Sequence, residues 1–231
     1  MDETADPRWN YQGSTGPTGW GSLSSRFENC SRGRRQSPID IDGPVANSKL
    51  LPIRFHYRDS DNIVTNYAGQ LVLRTQSGNY IEVDGDRYDL DTIVFHAPSE
   101  HKIVGAPYDM EIQLTHKSLE GQILILAVFM EREATNPFLT NIWSSIPAPG
   151  DDASEPIALD PTKLLPQRRK YYQYEGSLTH PPCTEGVHWY VMTDPLPLSD
   201  RQLAQFSHSI PFNARPVQAL NGRKVSRSTR N

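Results

Sequence analysis

The stretch Thr92-Ile93-Val94-Phe95-His96-Ala97-Pro98-Ser99-Glu100-His101, followed by Glu111-Ile112-Gln113-Leu114-Thr115-His116, decides how this chain is read. Residues 92–96 and 111–116 are candidate strands. Side chains at i and i+2 of a strand face the same side, so Val94 and His96 point together. Further candidate strands lie at 71–74, 80–83, 123–130, 171–174 and 188–192. With 19 prolines and 15 glycines spread through 231 residues, few segments can sustain a long helix. Two helices have better signals. Asn136 can cap one with Pro137 at its first position, and Ser199 with Gln202 forms a capping box for another. Residues 146–156, rich in proline, read as a surface loop.

Composition excludes several classes. A content of 36% hydrophobic residues supplies a sizeable core, and a net charge of −4 argues against a general nucleic-acid binder. The longest apolar run, residues 123–130, is far short of the ~20 residues of a membrane-spanning helix and reads as a buried strand. The acidic start, Met1-Asp2-Glu3-Thr4-Ala5-Asp6-Pro7, has no apolar signal region, so a secretion signal is expected to be absent from this chain. Cys30 and Cys183 are the only cysteines, and both lie in polar, turn-rich segments. They read as a disulfide, which requires an oxidising compartment such as periplasm, extracellular space or an organellar lumen; the alternative is two free buried thiols in a cytosolic protein. Arg32, Arg34 and Arg35 form a small basic run and a candidate contact for an anionic ligand.

Four separated motifs carry a family resemblance. They are Trp9-Asn10-Tyr11 with Gly16-Pro17-Thr18-Gly19-Trp20-Gly21; Gln36-Ser37-Pro38-Ile39-Asp40-Ile41; the segment from Gly176 through Leu178-Thr179-His180-Pro181-Pro182-Cys183 to Val187; and Asn213-Ala214-Arg215-Pro216-Val217-Gln218. In this order the chain resembles the alpha-class carbonic anhydrases. The resemblance implies one domain over residues 1–231, ordered from about 8 to 224 with flexible termini. It implies a mainly β fold: a single large twisted, mostly antiparallel sheet of about ten strands with short peripheral helices. It also agrees with the disulfide, because secreted and bacterial-type members often join these two positions.

In that family the positions of Val94, His96 and Gln113 are three zinc-binding histidines. Valine cannot bind a metal, and a glutamine carboxamide is a weak oxygen donor for zinc. The resemblance makes His101 and His116 structural, with His101 paired to Glu111 and Tyr174, whereas His180 faces the cleft. Thr179 and Glu100 match a pair in which the threonine hydroxyl donates to a buried glutamate. Tyr11, Leu178 and Trp189 line the pocket or its water network. Thr115 and Ile125 alter the CO2 pocket, Thr92 replaces a glutamine that holds the first ligand, and Ala68 falls near the proton-shuttling histidine. The bland reading of the surviving polar residues, Gln36, Ser37, Glu100, His101, Glu111 and Thr179, is a buried network retained for stability.

The expected function is therefore a carbonic-anhydrase-like protein without the zinc site and without CO2 hydratase activity. It would be no enzyme and hold no cofactor. It would serve as a binding module or structural subunit, with another protein or an assembly as partner. The alternative is a weak or altered metal-dependent hydratase or esterase, with a metal on His96, Gln113 and His180.

Overall fold

The computed structural model describes residues 7–150 and 155–231. The expectations for the first six residues, and for residues 151–154 of the proline-rich loop, lie outside the described residues. Ten strands form the main path of a large mixed sheet: β1 (Val45–Asn47), β2 (Ser60–Tyr67), β3 (Gln70–Thr75), β4 (Asp86–His96), β5 (Met110–Lys117), β6 (Ile123–Arg132), β7 (Ile157–Leu159), β8 (Tyr171–Ser177), β9 (Glu185–Met192) and β10 (Ser226–Ser228). Their order across the sheet is β7-β2-β3-β4-β5-β6-β9-β8-β10-β1. The neighbours are antiparallel except β6 with β9 and β10 with β1. Shorter strands at Arg54–His56, Tyr80–Val83 and Leu196–Leu198 branch from this path.

The central strand shows why both faces are covered. In β6 the run from Leu124 to Met130 is buried throughout, as a strand packed on two sides must be. Leu124, Leu126, Val128 and Met130 enter the larger core with Leu139, Trp143 and Phe206. Ile125, Ala127 and Phe129 face the other way and pack with Trp189 and Val191. The two helices close the larger core. Asn136 Oδ1 accepts from the Phe138 amide at 3.1 Å and opens the α-helix Pro137–Trp143. Ser199 and Gln202 form the capping box of the α-helix Asp200–Ser209. Trp143 Nε1 donates to the Gln202 carbonyl at 2.9 Å and ties the helices together.

The C-terminal tail departs from expectation. Its polar end was read as flexible, but β10 pairs with β8 on one side and β1 on the other, and Asn231 Oδ1 accepts from the Arg169 amide at 2.8 Å. Backbone groups of neighbouring strands supply the order, which needs no apolar side chain. Cys30 and Cys183 are joined as a disulfide. Among the three arginines of the basic run, Arg32 pairs with Glu28 and Arg35 with Glu175, which neutralises much of its charge.

Candidate functional site

Strand register assembles the site. Gln113 of β5 stands opposite Val94 of β4, Glu111 opposite His96, and Thr115 opposite Thr92. On the next strand Ile125 of β6 faces Thr115 and pairs onward with Trp189 of β9. These side chains share one face, above which a cleft of about 670 Å3 opens. Val94, Thr92, Thr115, Leu178 and His180 line it. Ile125 lies beneath, 3% exposed, and so does His96, which is fully buried. Ala68 sits in the β2–β3 turn with φ +54°, a position set by backbone geometry, while Gln70 beside it donates to the Tyr11 hydroxyl at 2.9 Å. Burial pushes the Tyr11 hydroxyl well above its ordinary pKa.

His96 is held by one nitrogen and free at the other. Its Nδ1 donates to the Asn213 carbonyl at 2.7 Å, while Nε2 has no hydrogen-bond partner and stands 3.7 Å from Glu100 Oε2. Asn213 is fixed in turn, its Nδ2 donating to the Phe95 carbonyl at 2.8 Å and its Oδ1 accepting from the Ala97 amide at 2.9 Å. Asn213 and Arg215 were legible only as landmarks of the closing motif; their bonds across more than a hundred residues were not.

Gln113 changes the expected wiring. Its Nε2 donates to Glu100 Oε2 at 2.8 Å and to Glu111 Oε1 at 2.9 Å, and its Oε1 accepts from Thr179 Oγ1 at 3.5 Å. The direct Thr179 to Glu100 hydrogen bond expected from the motif is absent among the described residues. The amide of Gln113 reaches both groups and bridges them. Glu100 Oε1 accepts instead from the Arg215 amide at 2.8 Å. The Arg215 guanidinium donates to Gln36 Oε1 and the carbonyls of Ser37 and Cys30.

Glu111 is the hub of the buried network. It accepts from the His101 amide and from His101 Nδ1, both at 2.8 Å, and His101 Nε2 lies 2.7 Å from the Tyr174 hydroxyl. Burial would raise the Glu111 carboxyl, but His101 and the hydrogen bonds it receives outweigh that and leave it below its usual value. A depressed carboxyl stabilises the fold above its unfolded pKa, near 4.3, and the contribution is lost as pH falls through the folded value. Replacing Glu111 with Ala strands the donors of His101 and Gln113 and is expected to cost about 3 kcal/mol at neutral pH. Urea unfolding measures this; a loss under about 1 kcal/mol would show that water satisfies those donors. His116, on the core side, meets the Tyr57 hydroxyl at 2.7 Å, and burial drives its pKa down to about 4.

His180 is the imidazole that the cleft exposes. The loop carrying it is closed by the Cys183 amide donating to the His180 carbonyl at 2.8 Å and is anchored by the disulfide. Its Nδ1 donates to the Pro181 carbonyl at 2.9 Å, and its ring stacks on Trp9, centroids 5.8 Å apart and 8° from parallel. Burial lowers its pKa below the usual value, so the ring is neutral at neutral pH with the Nε2 lone pair available. Among the described residues no three His, Cys, Asp or Glu side chains converge as a metal-binding group.

A family model described as eukaryotic-type carbonic anhydrase matches residues 15–229. The chain belongs to the alpha-class carbonic anhydrase family. A protein of Klebsiella pneumoniae named carbonic anhydrase is 39% identical over 221 residues, 94% of this chain and 89% of that protein. The alpha-carbonic anhydrase of Thermovibrio ammonificans, solved with the inhibitor sulfanilamide, superposes with a TM-score of 0.91 at 40% identity, covering 94% of this chain and 98% of that one. Dioscorin complexed with ascorbate superposes at 0.87 and 30% identity, covering 96% of this chain and 98% of that one. The expectation that the chain is no enzyme is corrected by the first two of these relatives, which carry an enzyme's name and match nearly its whole length. The cleft is open, with the neutral imidazole of His180 in its wall.

Proposed function

We propose that this family member is a weak or altered hydratase or esterase in which a cleft imidazole, His180, activates water. The observation that carries this reading is the free Nε2 of a neutral His180 in the cleft wall, its Nδ1–H spent on the Pro181 carbonyl. A catalytic zinc needs three good protein ligands, and the residues present do not fit it. Of the three ligand positions, 94 offers no donor, the Gln113 amide is engaged with two carboxylates and Thr179, and only His96 offers an imidazole nitrogen. No step is routed through a metal.

In this mechanism His180 Nε2 takes a proton from water as the water oxygen bonds to the carbonyl carbon of CO2 or an ester. With CO2 the product is bicarbonate, and the imidazolium returns its proton to solvent; with an ester the tetrahedral adduct breaks the bond to its alkoxy oxygen, which takes the imidazolium proton and leaves as the alcohol beside the acid. The Trp9 face beneath the ring favours that imidazolium by about 0.5–2 kcal/mol. General-base catalysis of this kind contributes about 10²–10⁴-fold, so the rates should be modest. His180→Ala is expected to lower kcat/KM for p-nitrophenyl acetate about 100-fold. In the parent the rate should rise with pH through a value below 6.5, set by the lowered His180 pKa, and then level. A variant that keeps both the rate and the inflection would remove His180 from the mechanism.

A second reading, retention of a small organic ligand, is supported by the dioscorin complex with ascorbate. The cleft carries Arg74 without an ion pair among the described residues, beside the Lys117–Asp91 pair at 2.8 Å, and so suits an acidic molecule. Ascorbate titration in a calorimeter separates the two readings. Both take residues 8–224 as one working domain. The disulfide supports an oxidising compartment.

A further inference from the structure

A second cavity, of about 580 Å3, opens on the opposite face of the sheet from the cleft. The strand period puts it there: His188 and Tyr190 of β9 point away from the face that Trp189 occupies, and Leu124 of β6, paired with His188, points away from that of Ile125. The turn Asp84-Gly85, which leads into β4, forms the far wall.

Tyr190, a buried residue 3% exposed, lines the cavity. Its hydroxyl oxygen accepts from Gln173 Nε2 at 2.8 Å, and its own proton has no acceptor among the described residues. A buried donor left open toward a cavity marks a place where another molecule completes the bonding.

The walls carry charges of both signs that do not meet. Asp84 in the turn and Asp86 just after it form no ion pair among the described residues; burial pushes the Tyr171 and Tyr190 hydroxyls up, and the nearby Asp84 carboxylate adds to the shift. At the other end stand Arg223 and Lys224. Arg223 is fixed by donating to the carbonyls of Leu220, Glu175, Gln36 and Ala219, none of which neutralises it. Arg35 and Glu175 pair with each other and Glu185 lies near enough to Arg223 to offset it, so Lys224 carries the excess positive charge at this end.

Opposite charges held apart across one cavity match a molecule that carries both. We propose that this back-face cavity binds a short zwitterionic peptide, its ammonium group against Asp84 and Asp86 and its carboxylate against Arg223 and Lys224. The scale fits. The acidic end lies near Tyr171 and Tyr190, the latter paired across with Gln173, and the basic end holds the carbonyl of Glu175. Along β8 the backbone from Gln173 or Tyr171 to Glu175 covers two to four residues, roughly 7–13 Å at ~3.3 Å per residue. An extended tripeptide, at ~3.3–3.6 Å per residue, spans that gap. The Tyr190 hydroxyl then has a peptide carbonyl to donate to. The cavity's volume is within the ~300–1,000 Å3 of ordinary ligand sites.

Trialanine and its N-acetylated, C-amidated form are the probes, titrated at low salt into the full chain by NMR. Trialanine is expected to bind saturably and to shift the resonances of Gln173, His188 and Tyr190, with the blocked peptide at least about tenfold weaker. The double variant Asp84→Asn with Asp86→Asn should weaken trialanine about tenfold, and Lys224→Gln should do so less. Asparagine tolerates the left-handed backbone of Asp84, φ +53°, so this variant keeps the turn. None of these residues belongs to the cleft, and the rate of ester hydrolysis should be unchanged. Absence of saturable binding, equal binding of the blocked peptide, or shifts confined to His180 and its neighbours would each overturn the proposal.

Discussion

Val94→His combined with Gln113→His is expected to raise zinc affinity by at least about a thousandfold over the parent chain. The register is already correct, since positions 94 and 113 are directly paired on adjacent strands and His96 is two residues along from Val94. His96 is prepared as a ligand, because the Asn213 carbonyl fixes its tautomer and leaves Nε2 without a partner. Removing the Gln113 amide also releases Glu111 Oε1 to accept from the imidazole introduced at 113, the kind of support that orients metal-bound histidines. Competition against a chelator measures the affinity, and each single variant should fall well short of the pair. Hydration should recover only in part, because Thr92, Thr115, Ile125 and Ala68 are unchanged. A double variant no better than the parent would mean that the cleft no longer has the spacing a tetrahedral ion needs.

Loss of the disulfide is the second large effect. Cys30 and Cys183 are separated by 153 positions. By the chain-entropy argument, closing so long a loop stabilises the fold by on the order of 5 kcal/mol. Cys30→Ser with Cys183→Ser should lower the unfolding free energy by about that amount, read by guanidinium titration. The same change frees the loop that holds Thr179 and His180, so the hydrolytic rate should fall with it. A cost under about 1 kcal/mol would mean that the unfolded chain is already compact around these two positions.

The sequence was most legible where side chains carry the signal. Residues 123–130 announced a strand buried on both faces, and Asn136-Pro137 and Ser199 with Gln202 announced helix starts that the structure contains. β2, with Ser-Asp-Asn among its residues, and β10, with Ser-Arg-Ser, carry no such signal and were missed. Their order comes from backbone pairing: β2 forms a tight hairpin with β3 and meets the distant β7 on its other edge, and β10 pairs with β8. The site shows the same division. That position 113 holds an amide is plain in the sequence, but the insertion of that amide between Thr179 and Glu100 depends on three segments meeting. The stacking of His180 on Trp9 joins residues at opposite ends of the chain and had no local trace. The step from missing ligands and altered neighbours such as Thr92, Thr115 and Ala68 to a chain that is no enzyme is the one that relatives named carbonic anhydrase overturn.

The central claim is that the cleft works on water through His180 without a three-histidine metal. Ester hydrolysis by the purified chain, measured before and after exhaustive treatment with dipicolinate, tests it most directly. The account predicts slow turnover that the chelator leaves intact and that His180→Ala removes. Turnover that vanishes on chelation and returns with one equivalent of zinc would contradict it.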